Sequence, residues 1–121
     1  MLPAIDPVIH QPQRLRILAA LYRNRQASFV VLQRGLGLTS GNLASHAAKL
    51  EEAGFLESSR VLADLSFEVR FRITPRGIEA FHAYLASLKA LVESVGLEEA
   101  PQVASGGEDE PLVRAGEAWE L

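Results

Sequence analysis

The chain of 121 residues is long enough for one folded domain with a modest core and too short for two. It contains no cysteine, which excludes disulfides, thiolate nucleophiles and cysteine-ligated metal centres. Residues 1–95 carry 11 Lys and Arg against 8 Asp and Glu, whereas residues 96–121 carry one Arg against seven acids. The net charge of −3 therefore combines a mildly basic body with an acidic tail.

No part of the sequence indicates membrane insertion or secretion. Its longest apolar run, residues 17–22, is far shorter than the roughly 20 residues that span a bilayer. The first ten residues lack the charged start and the apolar stretch of a signal peptide. We therefore expect a cytoplasmic protein that does not contact a membrane.

Residues 11–26 predict a first helix, with Pro12 in its first turn. Its apolar stripe comprises Leu15, Leu18, Ala19 and Tyr22. Ile17 and Leu21 widen the apolar surface around a second side of the helix. Such a width predicts contact with two bodies, the core of the chain itself and a second subunit.

The next residues predict a short helix, a turn and another helix. Ser28 suits the N-cap of a second helix that ends near Gly35. After a turn with the sequence GLGL, Thr39 suits the N-cap of a third helix that ends near Gly54. This spacing is typical of a helix-turn-helix.

The hydrophobic period then changes to two, which predicts a β-hairpin. Residues 56–62 and 67–73 form its strands, and residues 63–66 join them. One face of the second strand comprises Phe67, Val69, Phe71 and Ile73. The opposite face comprises Glu68, Arg70 and Arg72.

Thr74 followed by Pro75 predicts the start of a last helix that runs to Val95, a length of about 31 Å. Its apolar residues have the spacing of a heptad seam and comprise Ile78, Phe81, Leu85, Leu88, Val92 and Val95. Tyr84 and Leu91 add apolar surface beside the seam. Either the whole helix packs on its own core, or its second half joins the first helix in a homodimer contact, which is the interpretation we favour.

Residues 96–121 differ from the predicted domain, residues 1–95, in composition. Residues 96–111 are rich in Gly, Pro and Glu and predict a linker, and residues 112–121 allow one weak amphipathic turn. The segment is interpreted as a disordered, solubilising tail. The alternative is that it competes with phosphate for arginines of the hairpin or packs Trp119 on the dimer.

The third helix carries small and polar residues opposite its apolar side. At 100° per residue, Leu43, Ala47 and Leu50 fall within about 40° of one another. The far side comprises Gly41, Ser45, Ala48 and Glu52, with Asn42 and Lys49 beside them. A helix-turn-helix packs one face of its second helix and inserts the opposite face into the DNA major groove.

The residue types on this side match the chemistry of DNA. Asn42 can offer a bidentate amide to adenine, Ser45 suits a base or a phosphate, and Lys49 suits phosphate or guanine. Thr39 and Ser40, with the free N–H groups of the first turn, are placed to hold a phosphate. Small side chains let the helix axis approach the bases.

Each of these residues also has a simpler interpretation. Ser and Asn near a helix start commonly serve as caps or solvated residues. His46 lies near the edge of the packed face, and alternating arginines on a strand often serve solubility alone. DNA binding is favoured because the helix-turn-helix spacing, a hairpin with outward arginines and a basic body occur together.

Three blocks of the sequence carry a family resemblance: IDPVIHQPQRLRILAAL, LTSGNLASHAAKLEEAGFLE and VRFRITPRGIEAFHAYLASL. In this order they resemble the winged helix-turn-helix transcriptional regulators related to the MarR and ArsR groups, over about residues 5–92. The resemblance implies a mainly α fold with a small β-hairpin (α+β) and a long C-terminal dimerisation helix. It also implies a cytoplasmic homodimer that binds operator DNA, usually as a repressor.

The resemblance also implies which residues form the DNA-binding site. On the third helix these are Thr39, Ser40, Gly41, Asn42, Ser45, His46 and Lys49, and on the hairpin Arg60, Arg70 and Arg72. The dimer contact is expected from Ile17, Leu21, Tyr84, Leu88, Leu91, Val92 and Val95.

The hairpin tip, LADLSF, departs from the family pattern, since related wings often have a tip rich in glycine, lysine and arginine. Asp64 would be repelled by phosphate, and Leu65 could instead meet a protein surface. Insertion of the tip into the minor groove is therefore not expected, although the strand arginines can still touch the DNA backbone. The thiolate metal sensors of the ArsR group need cysteine, which this chain lacks.

No metal, cofactor or catalytic site is expected. His10, His46 and His82 are far apart, and none has a metal-ligand partner three or four residues further on. The sequence contains no nucleophile elbow, phosphate-cradling loop or dinucleotide fingerprint. The chain is interpreted as a dimeric regulator that binds double-stranded DNA and is not an enzyme. The alternatives are a winged-helix protein-interaction module and a sensor whose small-molecule effector enters the cleft between subunits.

Overall fold

The computed structural model describes residues 4–96 of the chain. The elements in chain order are α1 (Pro12–Asn24), β1 (Gln26–Ser28), α2 (Phe29–Leu36), α3 (Ser40–Glu52), β2 (Leu56–Ala63), β3 (Ser66–Ile73) and α4 (Pro75–Ser94). The strands form one antiparallel sheet in the order β1-β3-β2. The expected α+β fold with a hairpin and a long last helix is confirmed, while the predicted tail, from residue 97 onward, lies outside the described residues. Between residues 4 and 96, no helix is long and apolar enough to cross a bilayer.

Hydroxyl side chains start three of the helices, as the sequence predicts. Ser28 Oγ and Thr39 Oγ1 each accept a hydrogen bond at 3.1 Å from the backbone N–H three residues further on. Thr74 Oγ1 accepts the equivalent bond at 2.9 Å. Each bond satisfies a donor that has no partner inside the helix, which stabilises the helix by about 1 kcal/mol.

The first helix is shorter than predicted and is followed by an unpredicted strand. α1 ends where Arg25 adopts a positive φ of 68°, a conformation that is incompatible with a right-handed helix. The next residues, Gln26–Ser28, form β1 and pair with β3. α2 ends at Leu36, next to the predicted end at Gly35, and Gly37 caps the helix in a left-handed conformation.

The core lies where α1, α2, α3 and α4 meet the inner end of the hairpin. Its fully buried side chains are Ile9, Ile17, Leu18, Leu21, Leu32, Leu43, Leu50 and Leu56. Phe71 and Ile73 of β3 and Phe81 of α4 complete it. Burial of each large apolar side chain contributes about 1.5–3 kcal/mol, so this set holds α3 firmly against the domain.

α4 begins in close contact with the loop between α3 and β2. The Thr74 N–H donates to the Phe55 carbonyl at 3.1 Å, and Thr74 Oγ1 donates to the Gly54 carbonyl at 2.6 Å. A Cβ added at Gly77 would meet the Phe55 backbone and lie 2.9 Å from Ile73 Cγ1. Glycine is therefore required for this approach, which fixes the start of α4.

Only the inner half of the hairpin contributes to the core. Antiparallel pairing places Leu62 opposite Phe67 and Ser58 opposite Phe71. Alternate residues of β3 share a face of the strand, as predicted. Phe71 is 5% exposed, whereas Phe67 is 62% exposed. Within residues 4–96, no other element covers the outer half of the hairpin, and its large apolar side chains are exposed.

Three residues expected at the dimer contact are buried within the single chain, and this expectation is corrected. Ile17, Leu21 and Tyr84 are at most 2% exposed. α1 packs against α2, α3, α4 and β3, so its own chain covers both sides of its wide apolar surface. The other expected contacts are half-buried or exposed on α4 and comprise Leu88, Leu91, Val92 and Val95.

Candidate nucleic-acid interface

α3 has a packed side and an open side. Leu43, Ala47 and Leu50 are buried against the rest of the domain. The open side comprises Gly41, Asn42, Ala44, Ser45, Ala48 and Lys49, all of which are exposed. The predicted orientation of the helix is therefore confirmed, and a surface of small and polar residues faces outward.

The open side begins with exposed backbone. A Cβ added at Gly41 would meet no atom within 4 Å. The oxygen of Thr39 caps the helix by accepting from the Asn42 N–H. The first N–H of the helix ladder is that of Leu43, so the N–H groups of Ser40 and Gly41 have no intrahelical acceptor. Such groups can bind a phosphate oxygen.

One flank of α3 is basic because α1 approaches it there. Arg14 Nη1 lies 3.4 Å from His46 Nδ1, and Arg14 Nε donates to the Val8 carbonyl at 2.6 Å. Lys49 lies one turn beyond His46, and with Arg14 it lines an open groove of about 330 Å³. Burial lowers the pKa of His46, and the positive charges of Arg14 and Lys49 lower it further.

Arg14 is a candidate that reasoning from the sequence did not find. It lies in the first turn of α1, 32 residues before His46, and only the packing of α1 on α3 brings the two side chains together. The spacing within α1 shows Arg14 as an ordinary solvated residue. The one available signal was the topology, because the helix before a helix-turn-helix packs against the reading helix.

The other flank of α3, which faces the hairpin, is acidic. Ser58 Oγ on β2 donates to the Glu51 carboxylate at 3.2 Å. Glu52, the next residue, is also exposed, but it lines the groove that Arg14 and Lys49 share. Carboxylates repel phosphate, so the electrostatics favour a DNA strand on the flank next to α1.

Two of the three predicted hairpin arginines lie together, and both are paired with carboxylates. Arg70 Nη2 lies 2.8 Å from Glu68, and Arg72 Nη2 lies 3.2 Å from Glu57. Both arginines line an open groove of about 240 Å³ on one face of the sheet. A DNA phosphate at this face would have to replace these carboxylates.

Arg60 lies on the opposite face of the hairpin from Arg70 and Arg72. It pairs with Val69 in the ladder, and residues directly opposite one another share a face. The Arg60 guanidinium carbon lies 5.0 Å from the centroid of the Phe67 ring, a cation–π contact. The structure therefore does not bring the three arginines into one cluster.

The other two histidines are held by tyrosines. His10 Nδ1 lies 2.9 Å from the Tyr84 hydroxyl, and His82 Nε2 lies 2.7 Å from the Tyr22 hydroxyl. Burial raises the pKa of Tyr84, so its hydroxyl stays protonated at neutral pH. Among residues 4–96, no three side chains of His, Asp or Glu form a group that could hold a metal ion.

This combination of a helix-turn-helix, an open reading helix and an adjacent hairpin defines the winged-helix class of DNA-binding proteins. A family model described as a winged helix DNA-binding domain matches residues 13–92, and the chain belongs to this family. The match covers α3 and the whole hairpin. The predicted winged-helix DNA-binding domain is therefore confirmed.

The chain is similar to proteins of known and unknown role. The uncharacterized protein MJ0432 of Methanocaldococcus jannaschii is 35% identical over 82 residues, which are 68% of this chain and 89% of that protein. The transcriptional regulator homologue of Pyrococcus horikoshii OT3 superimposes with a TM-score of 0.70 at 37% identity, covering 74% of this chain and 89% of that chain. NadR, solved in complex with 4-hydroxyphenylacetate, superimposes with a TM-score of 0.58 at 21% identity, covering 76% of this chain and 70% of that chain. NadR therefore shares the fold, whereas the regulator homologue of Pyrococcus horikoshii is similar in both sequence and fold.

Proposed function

We propose that the protein is a homodimeric transcriptional repressor that reads operator DNA with α3. The observation that carries this proposal is the open side of α3, which exposes small and polar residues while its leucines are buried. In a twofold dimer, two copies of α3 enter successive major grooves about 34 Å apart. A dimer bound in this way blocks the operator for other proteins.

Base reading belongs to the first two turns of α3. Asn42 can form paired hydrogen bonds with the edge of adenine, and Ser45 can bind a base or a phosphate. Lys49 and the first-turn N–H groups bind phosphate, which supplies most of the affinity. The proposed contacts on α3 are Thr39, Ser40, Gly41, Asn42, Ser45, His46 and Lys49.

The hairpin arginines take a secondary part. Arg70 and Arg72 are 41% and 63% exposed in their ion pairs, so each pair contributes about 0.2–1 kcal/mol. A phosphate oxygen can replace the carboxylate at little cost, which lets both side chains touch the DNA backbone. Arg60 can reach DNA only from the other face of the hairpin.

The second half of α4 supplies the proposed dimer contact. Val92 and Val95 are 44% and 64% exposed, and Leu85 beside them is also exposed. These residues continue the apolar seam past the domain core, where no other described element covers them. Burial of this seam against its copy is how a pair of such helices is stabilised.

A small-molecule effector is part of the proposal. A ligand that enters the cleft between subunits would change the spacing of the two α3 helices and hence the fit to the operator. NadR, which shares the fold, was solved with 4-hydroxyphenylacetate, and this supports a ligand of small size. A screen for compounds that raise the unfolding temperature and shift operator affinity together tests this part.

The exposed end of the hairpin favours a second candidate function, a protein-interaction module. Leu62, Leu65 and Phe67 are each at least 62% exposed. Asp64 stands among them with a charge that repels phosphate. An exposed apolar group of this kind is typical of a protein contact.

A gel-shift titration with random-sequence duplex DNA separates the two functions. A regulator binds random duplex at low salt and loses affinity as salt rises, because phosphate contacts release counterions. Selection of bound sequences from a random pool then identifies the operator. An absence of binding even at low salt would favour the interaction module.

A further inference from the structure

The side chain of Arg14 is held in place at the basic flank of α3. Its Nε donates to the Val8 carbonyl, and its Nη1 lies against His46 Nδ1. These contacts leave guanidinium N–H groups that can face the groove lined by Val8, Arg14, Lys49 and Glu52. Because the groove is open, the phosphate backbone of a DNA strand that runs along α3 can enter it.

The cations of this flank are not neutralised by the domain. Among the residues that the structure describes, Arg70 and Arg72 form ion pairs, whereas neither Arg14 nor Lys49 does. Glu52 lines the same groove but forms no ion pair with either cation within residues 4–96. Two cations without ion-pair partners beside an open groove favour the binding of an anion. When α3 lies in the major groove, the nearest anions are the phosphodiester groups of the DNA backbone.

The contact with Arg14 also favours one tautomer of the neutral His46 ring. A guanidinium can only donate hydrogen bonds, so His46 Nδ1 must be the acceptor and its proton lies on Nε2. Burial lowers the pKa of His46, and the charges of Arg14 and Lys49 lower it further. Both effects favour the neutral form of His46 in the free protein.

We propose that Arg14, His46 and Lys49 form one phosphodiester-binding cluster beside the reading helix, and that DNA binding at this cluster brings a proton onto His46. The proposal rests on the proposed DNA-binding function. A bound phosphate cancels the positive charges of Arg14 and Lys49, so the pKa of His46 is higher in the complex than in the free protein. The added proton lies on Nδ1, so Arg14 gives up its hydrogen bond to that atom, and both groups donate to phosphate oxygens instead. A group whose pKa rises on binding makes binding stronger as pH falls. The charged groups that face His46 are Arg14 from α1 and Lys49 from its own helix, and Glu52 lines the groove they share.

The test measures operator affinity against pH at constant ionic strength. Fluorescence anisotropy with the duplex selected from random DNA, between about pH 5.5 and 8, is expected to show tighter binding at lower pH for the wild type. One proton per subunit sets the upper limit at about tenfold per pH unit for each subunit. His46→Gln keeps a polar side chain without a titratable proton and is expected to remove this part of the pH dependence.

Two further measurements make the result independent of the stability of one variant. Calorimetry in two buffers of different ionisation enthalpy counts the protons taken up on binding. The NMR signals of the imidazole rings in the wild type report the pKa of His46 with and without DNA.

Arg14→Ala is expected to weaken binding to all duplexes and to reduce the salt slope by about 0.9 per subunit. The matched control, Lys89→Ala, removes a cation from α4 and is expected to leave the slope unchanged.

The outcomes separate the inference from the function on which it rests. Operator binding with the same pH dependence in the wild type and in a folded His46→Gln protein would overturn the cluster while leaving the regulator proposal in place. A pKa of His46 that does not rise with DNA would do the same. An absence of DNA binding at every pH would refute both.

Discussion

Two glycines lie in the first turns of helices, and replacing each with alanine is expected to change the stability of the protein in opposite directions. Gly41 is the second residue of α3, and Gly77 is the third residue of α4. A Cβ at Gly41 meets nothing within 4 Å, whereas a Cβ at Gly77 would meet the Phe55 backbone and lie 2.9 Å from Ile73 Cγ1. Alanine is therefore expected to fit at the first position and to displace the start of α4 at the second.

The two effects of Gly41→Ala have opposite signs. The free energy of unfolding is expected to rise by up to about 1 kcal/mol, because alanine loses less conformational entropy in a helix than glycine. The same methyl group stands on the open side of α3, where it would keep the helix from the bases. Operator affinity is therefore expected to fall on the order of tenfold, which is about 1.4 kcal/mol. Gly77→Ala is expected to lower the free energy of unfolding by about 1–3 kcal/mol through overpacking.

Urea unfolding followed by circular dichroism measures the stability of both variants, and fluorescence anisotropy with the selected operator measures affinity. Unchanged or tighter operator binding by Gly41→Ala would refute the reasoning, since a methyl group on the open side would then meet no DNA. A destabilised Gly41→Ala protein would contradict the open space at this position. Gly77→Ala with the stability of the wild type would contradict the close approach of α4.

Further predictions concern single side chains of α3 and α4. Lys49→Ala is expected to weaken binding to operator and random duplexes alike and to lower the salt slope by about 0.9 per subunit, with Lys89→Ala as the control. Equal slopes in these two variants would argue against a phosphate contact. Asn42→Ala is expected to reduce discrimination between operator and random DNA by about 1–3 kcal/mol, and equal losses on both duplexes would exclude a base contact. Val92→Asp is expected to give a folded monomer in sedimentation, and a dimer that persists would place the subunit contact elsewhere.

Local signals in the sequence were sufficient for the helix starts and for the orientation of α3. Ser28, Thr39 and Thr74 cap helices through bonds to residues only three positions away, so their neighbours in sequence decide the outcome. Leu43 and Leu50 share a side of α3 because of the helical period alone. The open side of α3 follows from the same period, whereas the full set of candidate DNA-binding residues was implied by the family resemblance.

The features that the sequence did not predict depend on contacts between distant segments. Gln26–Ser28 is too short to show an alternating pattern and becomes a strand only because β3 offers an edge. The face of Arg60 follows from the hairpin register, which a shift of one residue would reverse. The wide apolar surface around Ile17 was interpreted as contact with a second subunit, but the elements that cover it belong to the same chain. The position of Arg14 depends on how α1 crosses α3.

The short strand β1 has a mechanical consequence. It connects α1 to α2 and is hydrogen-bonded along β3, and the Ile73 N–H at the end of β3 donates to the Arg25 carbonyl at 3.0 Å. The backbone of the hairpin is thus hydrogen-bonded to the segment that joins α1 to α2 of the helix-turn-helix. We therefore expect that a shift of α4 relative to the domain would move α3 and the hairpin together. Substitutions at the hairpin tip that preserve this ladder are expected to change what the tip contacts without changing how the hairpin is attached to the helix-turn-helix.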